Sequence, residues 1–197
     1  GFDNIIPGLK SGRYDVALSN INATQKRLEQ VDFVSYYDAS RLGVISRKDA
    51  SIPEFTELTQ VCGKEIGAGA GTTQINRLNE ASKACESQGK PPIKVAVFPD
   101  RPAGVQAVVS GRVPMFFGPY EGLTWQFKTV KPLTMSGQIS VNDAPVSIAF
   151  PKDSQLEEAV QAALNSLIKD GTYQKILDHW SIGFGAVKES KRNQDIF

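Results

Sequence analysis

Short apolar segments of strand character alternate with segments of helix character along almost the whole chain. Such alternation is typical of α/β proteins, in which helices cover a mostly parallel sheet, and we predict that architecture here. Near the end of the chain, Val160, Leu164 and Leu167 lie at helical spacing and mark a core face. From Lys188 onward the chain is polar, and we predict that it is frayed. The predicted strands are 14–18, 42–46, 65–69, 93–98, 113–117 and 146–150, and the predicted helices are 4–10, one around Arg27, 72–84, 103–110 and two terminal helices that begin at 153–154 and after 170–172.

The composition excludes several classes of function. The 197 residues are enough for one large domain or two small ones. The 22 basic and 21 acidic side chains nearly cancel, so no charge field favours nucleic acid or an anionic membrane surface. No apolar run is long enough to cross a bilayer. The single histidine, His179, is predicted to be a surface or packing residue, so the sequence disfavours a hydrolase or metalloenzyme, and we expect neither metal nor cofactor.

Two cysteines, Cys62 and Cys85, flank one predicted strand-plus-helix unit. A disulfide between them would join the start of the strand to the end of the helix and would stabilise the fold by about 3 kcal/mol in the chain-entropy model. Zinc is disfavoured, because two thiols far from the histidine do not have a four-ligand spacing. Two free buried thiols are the alternative. We favour the disulfide, and with it an oxidising compartment.

Arg27 is the strongest candidate for ligand binding. It follows small polar residues at the junction between the 14–18 strand and a helix, where backbone amides lack helical partners. A guanidinium in such a place is suited to hold a carboxylate through two parallel hydrogen bonds. The alternative is that Arg27 pairs with Glu29 or Asp32 on the surface.

Polar residues precede Arg27 in the predicted ligand cleft. Asn20 and Asn22 could offer amide groups or exposed backbone to a polar ligand, or either could be a turn residue. The sequence Asn22-Ala23-Thr24 also matches a glycosylation sequon. Because it lies beside Arg27, we interpret this match as accidental and count Thr24 among the candidate ligand-binding residues.

A glycine-rich turn, Gly67-Ala-Gly-Ala-Gly-Thr-Thr73, lies between a predicted strand and a predicted helix. Glycines such as Gly71 let a ligand approach the backbone, and Thr72 and Thr73 are predicted to cap the helix and to present their amides to an anion. The spacing is not that of a dinucleotide-binding fingerprint, and no Gly-Lys-Ser/Thr of a P-loop follows. A purely structural turn is the alternative.

Taken together, these features resemble a type II (family 3) extracellular solute-binding protein of an ABC transporter, in the polar amino-acid-binding family. The resemblance covers essentially the whole chain, and the closing D-G-T-Y-x-K-I-x-x-x-W is its most specific motif. The stretches that carry it are F-D-N-I-I-P-G-L-K-S-G-R-Y-D-V, T-Q-K-R-L-E-Q-V-D-F, G-T-T-Q, S-G-R-V, I-A-F-P-K-D-S and D-G-T-Y-Q-K-I-L-D-H-W.

The resemblance implies a two-lobed type II periplasmic-binding-protein fold, in which each lobe is a mostly parallel sheet flanked by helices. Lobe 1 would comprise residues 1–38 plus 145–197 and lobe 2 residues 43–140, with hinges near 39–42 and 141–144. The family also has an N-terminal strand–helix–strand before the position of Phe2, which this sequence lacks. We therefore expect lobe 1 to be incomplete at its N-terminus, and a partner chain or a dimer could complete it.

The resemblance also implies roles for individual residues. Arg27 would grip the α-carboxylate of the ligand, helped by the backbone amides of Asn22 and Thr73, and Phe2 would form an aromatic wall against the ligand side chain. Thr72 would line lobe 2. These assignments predict an amino-acid-like solute.

One departure from the family concerns the ligand's ammonium group. Asn20 falls where a backbone carbonyl of the family accepts from the ammonium, but the family's ammonium-binding Asp is Pro119 here. Glu121 is either a substitute for that Asp or an ordinary surface acid. Burial of an ammonium without a carboxylate is costly, so the ligand is otherwise expected to lack a primary α-amine, as an N-substituted amino acid or another carboxylate does.

The implied function is the extracytoplasmic binding component of an ABC importer, with a lipoprotein anchor as one means of attachment, that delivers its solute to a membrane permease. Such a protein binds and closes on its ligand and is not an enzyme. The alternatives are a ligand-sensing domain of a receptor, a dehydratase-like enzyme on the same fold, and a chain without a ligand that acts through partner contact.

Overall fold

The computed structural model describes residues 1–38, 41–142 and 145–197. The chain divides into two compact units: unit 1 is Gly1–Asp3 with Arg41–Val141, and unit 2 is Asn4–Ser40 with Asn142–Phe197. Residues 39, 40, 143 and 144 of the predicted hinges lie outside the described residues. The lobe boundaries and hinges therefore stay predictions.

The helices and strands alternate along most of the chain, as predicted. Each unit contains one sheet, and the two sheets have the strand orders β5-β4-β6-β3-β7 in unit 1 and β1-β8-β2 in unit 2. In chain order the elements are α1 (Ile5–Lys10), β1 (Ala17–Asn22), α2 (Gln25–Leu28), β2 (Asp32–Tyr37), β3 (Arg41–Arg47), β4 (Glu65–Gly69), α3 (Thr73–Ser87), β5 (Lys94–Phe98), α4 (Arg101–Val109), β6 (Met115–Pro119), α5 (Tyr120–Thr129), β7 (Leu133–Ser140), β8 (Val146–Phe150), α6 (Leu156–Lys169) and α7 (Thr172–His179).

The sheet of unit 1 is mixed and is buried on both faces. Strands β5, β4 and β6 run parallel, whereas β3 is antiparallel to β6 and β7. Neighbouring residues of one strand point to opposite faces, so Val44 and Phe117 enter one apolar cluster while Ile45 and Phe116 enter the other. Because β5, β4 and β6 are parallel, their carboxyl ends meet at the same edge of the sheet.

The predicted disulfide in unit 1 is confirmed. Cys62 and Cys85 are bonded, with their Cα atoms 5.8 Å apart. Cys85 lies in the last turn of α3 and its side chain is fully buried in the apolar cluster that also contains Leu78. The bridge therefore fastens the end of α3 to the segment that precedes β4.

The sheet of unit 2 differs from the prediction of a mostly parallel sheet. Its central strand, β8, pairs antiparallel with both β1 and β2. The reason is topological: β2 leads out of unit 2 and β8 leads back into it, so the two neighbours run in opposite directions. The α/β class is confirmed, but the parallel arrangement is wrong for the described part of this unit.

The core of unit 2 lies between this sheet and the terminal helices. Val34, Ile148 and Phe150 form a buried cluster, against which Val160 and Leu164 of α6 pack. Leu167, which we placed on the same core face, is exposed. The helical spacing thus identified the helix but overestimated the width of its buried face.

The first strand begins three residues later than predicted. The predicted strand includes residues 14–16, whereas β1 is Ala17–Asn22. The backbone amides of Arg13 and Tyr14 both donate to the carbonyl of Gly8 (2.9 and 3.3 Å), and the Tyr14 ring lies on Gly8, where a Cβ would be 2.3 Å from the ring. Tyr14 therefore closes the C-terminal end of α1 and does not belong to the strand.

The prediction of a frayed tail from residue 188 onward is wrong. The Ser190 hydroxyl donates to the carbonyl of Ser35 (2.6 Å), the Lys191 amide donates to the Ser35 hydroxyl (2.8 Å), and the Phe33 amide donates to Asn193 Oδ1 (2.8 Å). Ser190 is fully buried. The polar composition of the tail reflects its function as the hydrogen-bonding partner of the β2 edge, where backbone groups need partners.

Candidate ligand-binding site

The predicted ligand-binding residues fall into two groups, one in each unit, and each group is described by itself. We call the unit 2 residues the Arg27 group. We call the residues that follow β4, β5 and β6 in unit 1 the strand-end edge: it comprises residues 69–73, 99–101 and 119–122. The Arg27 group is Asn20, Asn22, Thr24 and Arg27, and the predicted residues of unit 1 are Phe2, Gly71, Thr72, Thr73 and Glu121.

The Arg27 group is assembled by a single helical turn that follows β1. Thr24 is the N-cap of α2, and its hydroxyl accepts from the Arg27 amide (3.3 Å). Arg27 Nη1 donates to the carbonyl of Asn22 (3.1 Å), which holds the guanidinium against the end of β1. The side chain is half-buried, and burial lowers the pKa of Arg27, although a guanidinium stays charged in a protein. The structure thus brings Asn22, Thr24 and Arg27 together.

Asp32, which the sequence offered as an alternative partner of Arg27, makes other contacts. Its Oδ1 accepts from Lys152 Nζ (2.6 Å) and its Oδ2 accepts from the Asp153 amide (2.7 Å). The carboxylate is almost fully buried. Asp32 therefore anchors the turn that follows β8.

Asn20 has a distorted backbone within β1. Its φ is +48°, and the pairing of β1 with β8 is irregular between Ala17 and Ile21. Asn tolerates the left-handed region better than most residues. The Tyr36 hydroxyl on β2 donates to Asn20 Oδ1 (3.3 Å). Asn20 therefore lies within β1 and not in a turn, and its ligand contact stays a prediction.

In the strand-end edge, the turn after β4 is joined to the end of β5 and to the first residues of the chain. The Ala70 amide donates to the carbonyl of Phe98 (2.8 Å). Gly71 has φ +72°, and a Cβ on it would lie 3.0 Å from the Cα of Asp3. Phe2 precedes Asp3 in a short 3-10 turn and is half-buried. Unit 1 therefore places Phe2 close to the glycine-rich turn, which requires glycine at position 71 for both conformation and space.

The prediction that both threonines of this turn cap α3 is wrong. Thr72 is the N-cap residue, but its hydroxyl donates to the carbonyl of Gly69 (2.7 Å) and caps no amide of the helix. Thr73 is the first helical residue. The tight turn brings the Gly69 carbonyl within reach of Thr72, so the side chain closes the turn instead. The N-terminal end of α3 thus retains the partial positive charge that favours anions.

Arg101 is a residue of this edge that we had not predicted. It is the first residue of α4, directly after the Asp100 N-cap, and its guanidinium lies against Gly122, the neighbour of Glu121. Burial lowers the pKa of Arg101, and attraction from Glu121 opposes that effect. An arginine shortly after a predicted strand and just before a predicted helix was a signal for this position. Its neighbours could be found only from the strand order.

Within the described ranges, no group of three or more His, Cys, Asp or Glu side chains is arranged to hold a metal ion. None of the helices in the same ranges combines the length and the apolar character that a membrane span needs.

Comparisons with known proteins agree with this fold. The chain is 26% identical over 199 residues to an arginine-binding protein of Corynebacterium glutamicum, and 29% identical over 185 residues to ABC transporter arginine-binding protein 1 of Escherichia coli. These matches cover 98% and 91% of this chain but 63% and 71% of the relatives.

Solved structures show the same similarity. An ancestral arginine-binding protein bound to glutamine superposes with a TM-score of 0.79 at 27% identity, covering 92% of this chain and 77% of that protein. An ancestral arginine-binding protein bound to arginine superposes with a TM-score of 0.73 at 29% identity, covering 91% of this chain and 76% of that protein. The predicted type II binding-protein fold is therefore confirmed, with part of that fold not covered by this chain.

The sequence profile that matches this chain covers residues 1–184, which is most of its length, and describes bacterial extracellular solute-binding proteins. The chain belongs to family 3 of the bacterial extracellular solute-binding proteins.

Proposed function

We propose that this chain is the substrate-binding component of an ABC importer. It captures a small carboxylate-bearing, amino-acid-like solute outside the cytoplasmic membrane and delivers it to a membrane permease, with a lipid anchor as one means of attachment. Membership of an extracellular solute-binding family supports this proposal, and so do the arginine-binding relatives. Capture would proceed by closure of the two predicted lobes on the solute, which stabilises the closed state by differential affinity.

The orientation of Arg27 is the observation that carries the proposal. Its guanidinium is half-buried and is held by the Asn22 carbonyl at the end of β1. A fork fixed in this way loses little conformational entropy when it binds a carboxylate with two hydrogen bonds. We therefore assign the ligand carboxylate to Arg27.

The strand-end edge of unit 1 also has features that suit a carboxylate-bearing solute. The turn at Gly71 allows close approach to the backbone, and the N-terminal end of α3 at Thr73 favours negative charge. Glu121, in the first turn of α5, is the candidate acid for an ammonium group, because Pro119 at the end of β6 has no charge.

We expect binding without turnover. The family consists of solute-binding proteins. Of the acids in the strand-end edge, Asp100 caps α4 through the Ala103 amide, which leaves Glu121 as the candidate acid. Incubation with a candidate carboxylate should therefore return it unchanged, and the appearance of a product would favour the dehydratase-like alternative.

Calorimetric titration of the chain, freed of carried-over solute, tests the proposal. The panel contains amino acids, N-alkylated amino acids and plain carboxylates, and Arg27→Ala is compared with Lys26→Ala. Lys26 is an exposed cation of the same helical turn, so its variant controls for the loss of a positive charge. Loss of a half-buried charge pair should cost about 2–4 kcal/mol, which is about 30- to 1,000-fold in dissociation constant. Lys26→Ala should change it less than about twofold.

Three outcomes are informative. Saturable binding that only Arg27→Ala weakens supports the proposal. Equal effects of the two variants would mean that charge near α2, and not the fork of Arg27, attracts the solute. No heat from any member of the panel, with the chain folded by circular dichroism, would refute capture of such solutes by residues 1–197.

A further inference from the structure

Arg101 and Glu121 form a charged pair at the strand-end edge. Arg101 begins α4 after β5, and Glu121 lies in the first turn of α5 after β6. Strand β4 lies between β5 and β6, and attraction between Arg101 and Glu121 is felt across this part of the edge. The sheet order brings together two residues that are 20 positions apart in the sequence.

Gly122 provides the surface on which Arg101 lies. A Cβ built on Gly122 would be 2.0 Å from Arg101 Nη1, 2.8 Å from Cζ and 3.3 Å from Nη2. All three atoms belong to the guanidinium, so this group lies against the helix backbone next to Glu121. Any side chain at position 122 would force the guanidinium to move.

The charges at this edge favour a direct effect of Arg101 on Glu121. Asp100, which precedes Arg101 in the sequence, is engaged as the cap of α4, because its Oδ1 accepts from the Ala103 amide (2.8 Å). Arg101 and Glu121 are both half-buried, and Oε1 of Glu121 is shielded from solvent. Charges shielded from water interact more strongly than exposed ones.

We propose that Arg101 is a specificity-determining residue of the binding site, which opposes the carboxylate of Glu121 and so disfavours solutes with a free α-ammonium. Of two carboxylate-bearing solutes that differ only in the α-amino group, the one without it is therefore favoured. An ammonium that approaches Glu121 meets the guanidinium of Arg101, and this like-charge contact costs binding free energy. A carboxylate without a charged nitrogen makes no such contact. This inference rests on the proposed function.

Two matched pairs of probes test the role of Arg101: L-arginine with δ-guanidinovalerate, and L-glutamine with glutaramate. The members of each pair differ only in the α-amino group. Each is titrated calorimetrically into the natural chain, Arg101→Met, Gly122→Ala and a control, Arg112→Met. Arg112 is an exposed cation of the same unit whose guanidinium lies over the Phe98 ring.

We express the result as the dissociation constant of the deaminated probe divided by that of its parent. Arg101→Met should raise this ratio about tenfold, because Glu121 is then available to the ammonium. Gly122→Ala should raise it in the same direction by displacing the guanidinium without removing it. Arg112→Met should leave it within about twofold. An unchanged ratio in Arg101→Met would overturn the specificity role.

A double-mutant cycle separates this inference from the proposed function. The unfolding equilibrium of Arg101→Met, Glu121→Gln and the double variant should be non-additive by at least about threefold, whereas Arg112→Met and Glu121→Gln should be additive. Additivity in the first cycle would overturn the charged pair itself. Coupling in the cycle, with no heat from the four probes or from any member of the panel above in the natural chain, would refute the proposed function and the specificity role while retaining the pair.

Discussion

Asn193 should be among the most sensitive residues of the tail. Its Oδ1 accepts from the Phe33 amide (2.8 Å) and its Nδ2 donates to Glu157 Oε2 (2.9 Å), so one side chain joins β2 to α6. Its φ is +47°, which Gly tolerates and Ala does not. Asn193→Gly therefore removes both hydrogen bonds without backbone strain. A buried amide without its acceptor and a carboxylate without its donor should together destabilise the protein by about 3 kcal/mol.

Two further variants complete the series. Asn193→Ala should lose about 1 kcal/mol more than Asn193→Gly, because it adds left-handed backbone strain. Gln194→Ala, at the exposed next position, should change stability by less than about 0.5 kcal/mol. Urea unfolding with the disulfide intact measures the free energies, and hydrogen exchange of the Phe33 amide reports on the contact itself. Equal stability of Asn193→Gly and Gln194→Ala, with unchanged exchange at Phe33, would refute the pairing of the tail with β2.

Three further predictions concern stability. Burial raises the pKa of Glu157. The contribution of Glu157 to stability is therefore present at acidic pH and is lost as the pH rises through that raised pKa. In urea unfolding at a series of pH values, Glu157→Gln should flatten this part of the stability–pH profile. Replacing both Cys62 and Cys85 by Ala should lower the free energy of unfolding by about 3 kcal/mol, and added reductant should then have no further effect. Gly104→Ala should destabilise the protein by about 2 kcal/mol despite better helix propensity, because a Cβ there would lie 2.0 Å from the Phe116 ring; a rise in melting temperature would contradict this.

The strands whose ends are marked locally could be predicted from the sequence. The predicted ranges 65–69 and 146–150 coincide with β4 (Glu65–Gly69) and β8 (Val146–Phe150). Each is a short apolar run bounded by Gly or Pro, which are local signals of strand ends. The disulfide was predictable for a related reason, because its two cysteines flank one strand-plus-helix unit.

Features that depend on distant residues could not be predicted. β2 contains Asp32, whose buried charge interrupts the apolar pattern and is explained by Lys152 and the Asp153 amide, which lie 120 and 121 residues away. Strand β7 and helix α5 were also not predicted although a proline precedes each, because polar residues in β7 and Gly122 in α5 interrupt the local pattern. The polar tail pairs with β2 through contacts across more than 150 residues.

The candidate site shows the same division. Arg27, Thr24 and Asn22 are close in sequence, so a local pattern identified them, and the structure brings them into contact. Arg101 and Glu121 come close only because β5 and β6, which they follow, are both neighbours of β4 in the sheet. Strand order is a property of the whole sheet, and no local spacing encodes it.

The discontinuous composition of unit 2 has a consequence for the order of folding. The long segment of unit 1, Arg41–Val141, is continuous, so it can acquire its sheet and its disulfide as soon as that part of the chain has emerged during synthesis or export. β1 and β2 instead wait for β8, which pairs with both of them, and β2 then waits for the final residues of the chain. Until then the backbone edges of β1 and β2 are unpaired, and this nascent interval is when the protein is most exposed to aggregation and most dependent on a holding chaperone.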